Sequence, residues 1–208
     1  MKKIMDKLFN VIRFDKKYVL FCLVIVILGV IAGSFFIVAL NNSDKTLVVE
    51  YIESFIDNIK IDNLNYIDTL KNTLTINYLI IILISILGFT CFISPVSILL
   101  LFYKSFVIGF SLSSFILVYK VKGLLLSIIY IFPHLIINIL LFSLLTAFTL
   151  KLSIKMIKYI VKKKDVNIRD YFNKYLCTIL FISIIITLTS LYESFIAPYI
   201  LKLIANII

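Results

Sequence analysis

The sequence lacks several features that a soluble enzyme normally carries. Among its 208 residues there are no tryptophans, one histidine, three cysteines and only 11 acidic residues. No HExxH, GxSxG or P-loop motif is present, so no catalytic or metal-binding set can be recognised. The cysteines lie in or beside apolar runs without CxxC spacing, which predicts neither a disulfide framework nor a zinc site. We therefore expect a protein without cofactors that is not an enzyme.

What the sequence has in abundance is hydrophobic residues. They make up 62% of the chain, and the mean hydropathy is +1.12. A soluble domain is only about half apolar, so the composition predicts an all-α integral membrane protein. The formal charge of +10 does not indicate nucleic-acid binding, because the basic residues cluster at the borders of the apolar runs, where they determine membrane topology.

Five apolar runs are long enough to cross a bilayer, which takes about 20 helical residues. The first run is longer than the apolar core of a signal peptide and is not followed by a small-residue cleavage site, so we expect it to be retained. Within it, Gly29 and Gly33 put two small residues on one helix face, either as a seat for a neighbouring helix or by chance. The predicted spans of this single domain are residues 18–40, 74–93, 95–119, 123–150 and 175–197.

The distribution of charge predicts how these spans are oriented. Residues 1–17 carry a net charge of +4 and residues 151–174 a net charge of +6, whereas residues 41–77 carry a net charge of −3. An excess of Lys and Arg marks cytoplasmic segments. We therefore predict that the N-terminus and residues 151–174 are cytoplasmic, and that residues 41–73 and the C-terminal tail, 198–208, are external.

The predicted external segment has the pattern of an amphipathic helical hairpin. Its first arm repeats apolar residues at i, i+1, i+4, i+5 and i+8, with acidic residues turned away, and its second arm leads into the second span. The apolar stripe either packs against the spans and headgroups or docks an external partner. The candidate partner-binding residues are Leu47, Glu50, Tyr51, Glu53 and Phe55.

Few ionisable residues fall inside the predicted spans. His134 lies about 16 Å below the outer end of the fourth span, and Lys104 about 13 Å above the inner end of the third, so we expect similar depths. Asn138 shares a helix face with His134. These residues are either structural, with Lys104 extending to the inner surface and His134 bonding a carbonyl freed by a kink at Pro133, or they form an ion or proton pathway.

Another carboxylate, Glu193, lies near the end of the last span. The positive-inside trend is broken by Lys120 and Lys122 in the short external turn between the third and fourth spans. We predict that one of these lysines pairs with Glu193 at the outer face. Pro198 is expected to end the span and to let the apolar tail lie along the surface.

Three stretches of the sequence together resemble a known family. They are ISPVSILLLFYKSFVIGFSL (93–112), KGLLLSIIYIFPHLI (122–136) and LYESFIAP (191–198). In order and spacing they resemble the stage II sporulation protein M family of spore-forming bacteria. Broader relatives have Pro-His-Gly followed by a Glu one turn later, whereas this chain has Leu135 and Asn138 at those positions. The departure weakens any metal or acid–base role taken from the wider group.

The resemblance implies a non-enzymatic, multi-pass protein of the mother-cell septal and engulfing membrane. It would act as a scaffold that recruits and holds two peptidoglycan hydrolases, the stage II sporulation proteins D and P, during forespore engulfment. Its partners would be these hydrolases and membrane lipids, without nucleic acid, and an oligomer is compatible with this role. The alternative, which the intramembrane residues Lys104, His134 and Asn138 support, is a small-molecule or ion transporter or channel subunit.

Overall fold

The computed structural model describes residues 16–61, 65–90, 93–130, 132–162 and 168–205, and its regular structure in these ranges is helical throughout. Within these residues, five helices are long and apolar enough to cross a membrane, which agrees with the predicted all-α class and five spans. The helices are α1 (Lys16–Ala39), α2 (Asn42–Lys60), α3 (Tyr66–Leu87), α4 (Val96–Tyr130), α5 (Phe132–Lys162), α6 (Ile168–Leu191), a π-helical turn (Tyr192–Ile196) and α7 (Ala197–Ala205).

The packing between α1 and α4 is close, and it depends on glycine. A Cβ atom added at Gly33 would collide with the backbone of Phe106, and one added at Gly109 would collide with the backbone of Val30. Gly29 is pressed in the same way against α4. Small residues let membrane helices approach until their backbones touch. The prediction that Gly29 and Gly33 seat a neighbouring helix is therefore confirmed.

The chain reverses direction inside α4, at the predicted turn between the third and fourth spans. Lys120 has a φ of 51° and a ψ of −125°, so it is a non-glycine residue outside the helical region. After it, Val121–Tyr130 folds back along α4, and a Cβ added at Gly123 would collide with the carbonyl oxygen of Phe115. The reversal explains why only glycine fits at position 123.

Several helix ends differ from the predicted spans. The predicted fourth span, 123–150, is divided between the last part of α4, which folds back after Lys120, and α5, which begins at Phe132 and extends to Lys162. Likewise α3 begins and ends earlier than the predicted 74–93. Hydropathy marks where a helix is apolar, whereas α3 extends back through polar residues and α5 continues into its basic segment. Cys91 and the segment 1–15 lie outside the described residues.

Two packed clusters mark the two ends of the bundle. At one end, Ile52, Ile56 and Ile59 of α2 pack with Phe115, Leu126 and Leu201, so α2, the Lys120 turn and α7 lie together. At the other end, the buried Tyr175 hydroxyl contacts the Thr149 hydroxyl at 2.9 Å and donates to the carbonyl oxygen of Ser85 at 3.2 Å. The apolar stripe of α2 thus packs against the spanning helices. Which end is cytoplasmic remains a prediction from charge.

Candidate functional site

Polar side chains from three helices meet inside the bundle around Lys104 of α4. The Lys104 Nζ atom donates a hydrogen bond to Asn77 Oδ1 on α3 at 3.0 Å. Asn77 is buried, and its Nδ2 atom donates to Ser190 Oγ on α6 at 3.3 Å. The ammonium group is therefore held by partners inside the bundle, rather than extending along the helix to the inner surface.

His134 and Glu193 lie beside this lysine. The distance from His134 Nε2 to Glu193 Oε2 is 3.8 Å, and the two side chains are 4% and 25% exposed. The Glu193 carboxylate accepts a hydrogen bond from Thr73 and interacts electrostatically with Lys104. We refer to Lys104, His134 and Glu193 as the charge cluster. With a neutral imidazole, its one ammonium and one carboxylate balance.

A π-helical turn brings Glu193 to this position. Tyr192–Ile196 forms one wide turn between α6 and α7, and the chain then continues as a helix to Ala205. In a regular α-helix the ring of Pro198 would clash with the carbonyl of Ser194, and the π turn removes that conflict. Pro198 was predicted to end the span, but it is the second residue of α7, and the apolar helical stretch continues to Leu203.

The partners found for Glu193 lie inside the bundle. They come from α3, α4 and α5, whereas Lys120 and Lys122, the predicted partners, are exposed at the turn within α4. The sequence indicates only how far Glu193 lies from the end of its span. It contained no information about the direction of the side chain, which the π turn determines. π turns inside helices are rare and are frequent at functional sites.

The depth of the charge cluster follows from its neighbours on α1. Gly29 is packed against Phe102 and Ser105, the residues that flank the position of Lys104. Gly29 lies about 20 Å from the start of α1 and about 15 Å from its end, at ~1.5 Å per residue. The cluster is thus near the middle of the bundle. An ionisable group at this depth is costly to bury and indicates a functional site.

A cavity of about 610 Å³ extends from the charge cluster towards α2. It runs along α4 from Lys104 to Phe115, which corresponds to about 16 Å of helix. Its walls are mainly apolar, with Ser111 and Ser114 as further polar groups. The lining residues are Leu47, Val48, Tyr51, Ile52, Phe55, Lys104, Val107, Ile108, Phe110, Ser111, Ser114, Phe115, His134, Leu135 and Glu193.

Tightly packed side chains lie on the other side of the charge cluster. The Phe142 ring centre is 5.7 Å from Lys104 Nζ, and Phe142 is fully buried together with Leu101 and Leu145. These three residues belong to the main hydrophobic core. On the side of Phe142, Leu101 and Leu145, the cluster is therefore closed by the hydrophobic core.

The remaining predicted intramembrane residues lie next to the cluster. Asn138 is buried and accepts a hydrogen bond from the Thr189 hydroxyl at 2.5 Å. Pro133 is the second residue of α5, where its missing N–H costs little, and lines a second cavity of about 350 Å³ with His134 and Thr189. Among the described residues, no group of three His, Cys, Asp or Glu side chains is placed to hold a metal ion.

Sequence reasoning missed the partners Thr73, Asn77 and Ser190. The sequence did contain a signal for Ser190. Small polar residues recur on one helical face along the otherwise apolar α6 and the π turn. These residues are Ser183, Thr187, Ser190 and Ser194. Such a stripe faces other helices rather than lipid, since lipid offers no hydrogen-bond partner.

The candidate partner-binding residues on α2 divide into two groups. Leu47 and Tyr51 are 63% and 72% exposed, and both Glu50 and Glu53 are exposed as well. Phe55 is half-buried, and it lines the cavity together with Leu47 and Tyr51. An exposed apolar pair thus lies on α2, and two exposed carboxylates lie on the same helix. We call Leu47, Glu50, Tyr51 and Glu53 the outer face of α2.

The architecture is that of a multi-pass helical membrane protein with a charge cluster enclosed by its spans. The family profile described as stage II sporulation protein M matches residues 20–198, which is most of the chain. The protein therefore belongs to the stage II sporulation protein M family, which implies a role in sporulation and is not known as a catalytic family. No match was found among curated proteins or among solved structures.

Proposed function

We propose that the protein is a membrane scaffold that recruits and holds peptidoglycan hydrolases, the stage II sporulation proteins D and P, at the mother-cell membrane during forespore engulfment. Membership of the sporulation family supports the process. The observation that carries the scaffold role is the outer face of α2, where large apolar residues are exposed on a helix that is otherwise firmly packed.

The packing of α2 makes it a suitable docking element. Ile52, Ile56 and Ile59 are buried against α4 and α7, so the helix is fixed in place. Leu47 and Tyr51 remain exposed. Protein interfaces are centred on a few such apolar or aromatic anchors, and tyrosine is enriched among the residues that dominate binding energy.

The charge of the outer face defines the partner surface that would fit. Glu50 and Glu53 are both exposed on the same helix as the apolar pair. Carboxylates at the rim of an interface favour a basic partner surface and repel an acidic one. On the predicted external side, this face would be directed towards the cell wall, where a hydrolase acts. We expect Tyr51 to insert into the partner and the carboxylates to orient it.

Co-purification tests this function. Affinity-tagged full-length protein is isolated from detergent-solubilised membranes of sporulating cells, and proteins D and P are quantified. Leu47→Asp with Tyr51→Ala is expected to lower the recovery of both hydrolases about 30-fold, the factor for losing one dominant interface residue. Glu50→Lys with Glu53→Lys is expected to lower recovery similarly, because it reverses the charge of the rim.

The matched control is Asn72→Lys, which adds a positive charge at an exposed position in the polar first part of α3. It should leave recovery unchanged. All variants should reach the membrane fraction in wild-type amounts, because none of the substituted residues is buried. Normal recovery of both hydrolases with the Leu47 and Tyr51 variant would show that the outer face is not the docking surface.

A further inference from the structure

Three lysine side chains converge on one tyrosine where α5 and α6 meet. The ammonium nitrogen of Lys155 lies 2.9 Å from the centre of the Tyr171 ring, and those of Lys151 and Lys174 lie 5.8 Å and 5.9 Å from it. Lys151 and Lys155 are one turn apart on α5, whereas Tyr171 and Lys174 belong to the first part of α6. All four side chains are half-buried. We call Lys151, Lys155, Tyr171 and Lys174 the basic site.

The basic site belongs to a segment whose positive charge its own acidic residues cannot neutralise. Residues 151–174 contain eight basic and two acidic residues, so pairing with both acids still leaves a net charge of +6. The tyrosine ring attracts an ammonium group over its face, but it carries no formal charge. Ammonium groups held this close repel one another, and the positive end of the α6 backbone dipole lies within one turn of Tyr171. An anion bound between the lysines would relieve this repulsion.

The basic site lies at the border of the membrane-spanning part of the bundle. Lys151 directly follows the predicted end of the fourth span, and Tyr171 precedes the predicted start of the last span by one turn. Tyrosine and lysine are typical of the level of the lipid headgroups. This is the end of the bundle marked by Tyr175, which is opposite to α2 and α7. The anion that a bilayer supplies at this level is the phosphate of a phospholipid.

Apolar side chains lead from the basic site towards the middle of the membrane. On α6, Phe181 and Leu188 follow Lys174 at intervals of seven residues, which places all three on one side of the helix. Phe181 is 45% exposed and Leu188 60%. On α5, Leu140 precedes Lys151 by about three turns and is 45% exposed. A phospholipid with its phosphate at the lysines would therefore lay its acyl chains on apolar surface, in the direction that a lipid of that leaflet takes.

We propose that the basic site binds the phosphate of an anionic phospholipid of the phosphatidylglycerol type. A phosphatidylcholine headgroup carries its own cation, which the three lysines repel. An anionic headgroup has no such cation, and its phosphate oxygens accept charge-assisted hydrogen bonds from several ammonium groups at once. Free inorganic phosphate offers the same acceptors without acyl chains, so the experiment compares the two sources. The site is separate from the outer face of α2 and does not depend on the proposed scaffold function.

A single tryptophan reports on the lipid beside the site, because the natural chain contains none. Phe181→Trp places the tryptophan on the expected path of the acyl chains. Phe21→Trp on α1 is the matched control, because Phe21 is 46% exposed and follows the exposed Lys17 by four residues. This control measures the general attraction of anionic lipid to lysines at the membrane border. Each full-length variant is reconstituted into phosphatidylcholine liposomes with a small fraction of phosphatidylglycerol or phosphatidylcholine brominated at the same acyl position, and fluorescence quenching is measured.

We expect brominated phosphatidylglycerol to quench the tryptophan of the Phe181→Trp variant as if it were enriched about tenfold over brominated phosphatidylcholine. This factor corresponds to one to two lysines that attract an anionic headgroup. The Phe21→Trp control should show a clearly smaller enrichment. Replacing chloride by inorganic phosphate at constant ionic strength should leave the enrichment at Phe181→Trp unchanged, because the free anion gains nothing from the apolar surface.

Two variants in the Phe181→Trp background remove the same charge from different places. The site variant replaces the three lysines of the basic site by glutamine and should lower the enrichment to that of the control reporter. The charge control replaces three exposed lysines outside the site and should retain the enrichment. The substitutions are Lys151→Gln, Lys155→Gln and Lys174→Gln in the site variant, and Lys16→Gln, Lys17→Gln and Lys158→Gln in the charge control.

A single substitution keeps the test decisive if the site variant fails to insert into the membrane. Lys174→Gln alone should lower the enrichment about twofold, its equal share of the tenfold effect. Equal enrichment at both reporters, or the same loss in the charge control as in the site variant, would overturn the proposal, because the attraction would then be a general one. Loss of the enrichment in inorganic phosphate would also overturn it, since the site would then hold the free anion. Hydrolase recovery measures the scaffold function separately, so either proposal can fail without the other.

Discussion

The two sides of α4 are packed in opposite ways. On one side Gly109 brings the backbone of α4 into contact with α1, leaving no room for a single added carbon atom. On the other side Lys104 and Ser111 face a cavity of about 610 Å³. Both sides are rich in apolar residues, so hydrophobicity does not decide between close packing and an open cavity. In a membrane, lipid solvates apolar side chains as well as protein does, and small residues determine where helices meet closely.

The open side depends on charge balance, and this gives the largest expected effect. Lys104→Met removes the ammonium group and leaves the Glu193 carboxylate without its opposite charge. We expect the free energy of unfolding to fall by about 3 kcal/mol, the scale for breaking a buried ion pair on one side. Reversible unfolding of the purified protein in mixed detergent micelles, followed by circular dichroism, measures the change.

A second substitution separates charge balance from packing. Lys104→Met combined with Glu193→Gln removes both charges and keeps the shapes similar, so it should recover more than half of the lost stability. If the double variant is less stable than Lys104→Met alone, the two residues do not compensate each other. The comparison between the sides of α4 would then rest on packing alone.

The closely packed side gives the next largest effect. Gly109→Leu would force α1 and α4 apart, because the added side chain meets the backbone of Val30. We expect a loss of about 2 kcal/mol, within the range for overpacking a filled interior. The same unfolding measurement applies. The control is Leu28→Phe, which enlarges an exposed side chain of α1 and should change stability little. Equal stability of Gly109→Leu and the control would contradict the packing described.

Much of the closely packed side was predictable from the sequence. The spacing of Gly29 and Gly33 was compatible with a helix seat or with chance, and apolar run lengths predicted five spanning helices, because both follow from local periodicity and bilayer thickness. The apolar stripe of α2 was visible for the same reason. Lys104 and His134 were also predicted to lie at similar depths, and both line one cavity in the structure.

The position of Glu193 was not predictable in this way. Its side chain direction depends on a π turn, and that turn depends on Pro198 together with partners on three other helices. Sequence periodicity assumes a regular helix, so a single wide turn changes which face every later residue occupies. For the same reason, sequence reasoning assigned Glu193 a partner at the outer face and missed Asn77, whose role requires Lys104 and Ser190 to be close.

The smallest expected effect provides the sharpest comparison, because it uses the residue two positions from Gly109. Ser111→Leu adds the same side chain to the open side of α4, where the cavity has room for it. It removes the hydrogen bond that Ser111 Oγ donates to the carbonyl oxygen of Val107. That carbonyl still accepts its hydrogen bond from the helix backbone. We expect the free energy of unfolding to change by less than about 0.5 kcal/mol in either direction, since new apolar contacts offset the lost bond. Unfolding of Gly109→Leu and Ser111→Leu in the same micelles measures the contrast. A loss at Ser111 as large as that at Gly109 would mean that α4 is equally packed on both sides, and the distinction between its closed and open faces would fail.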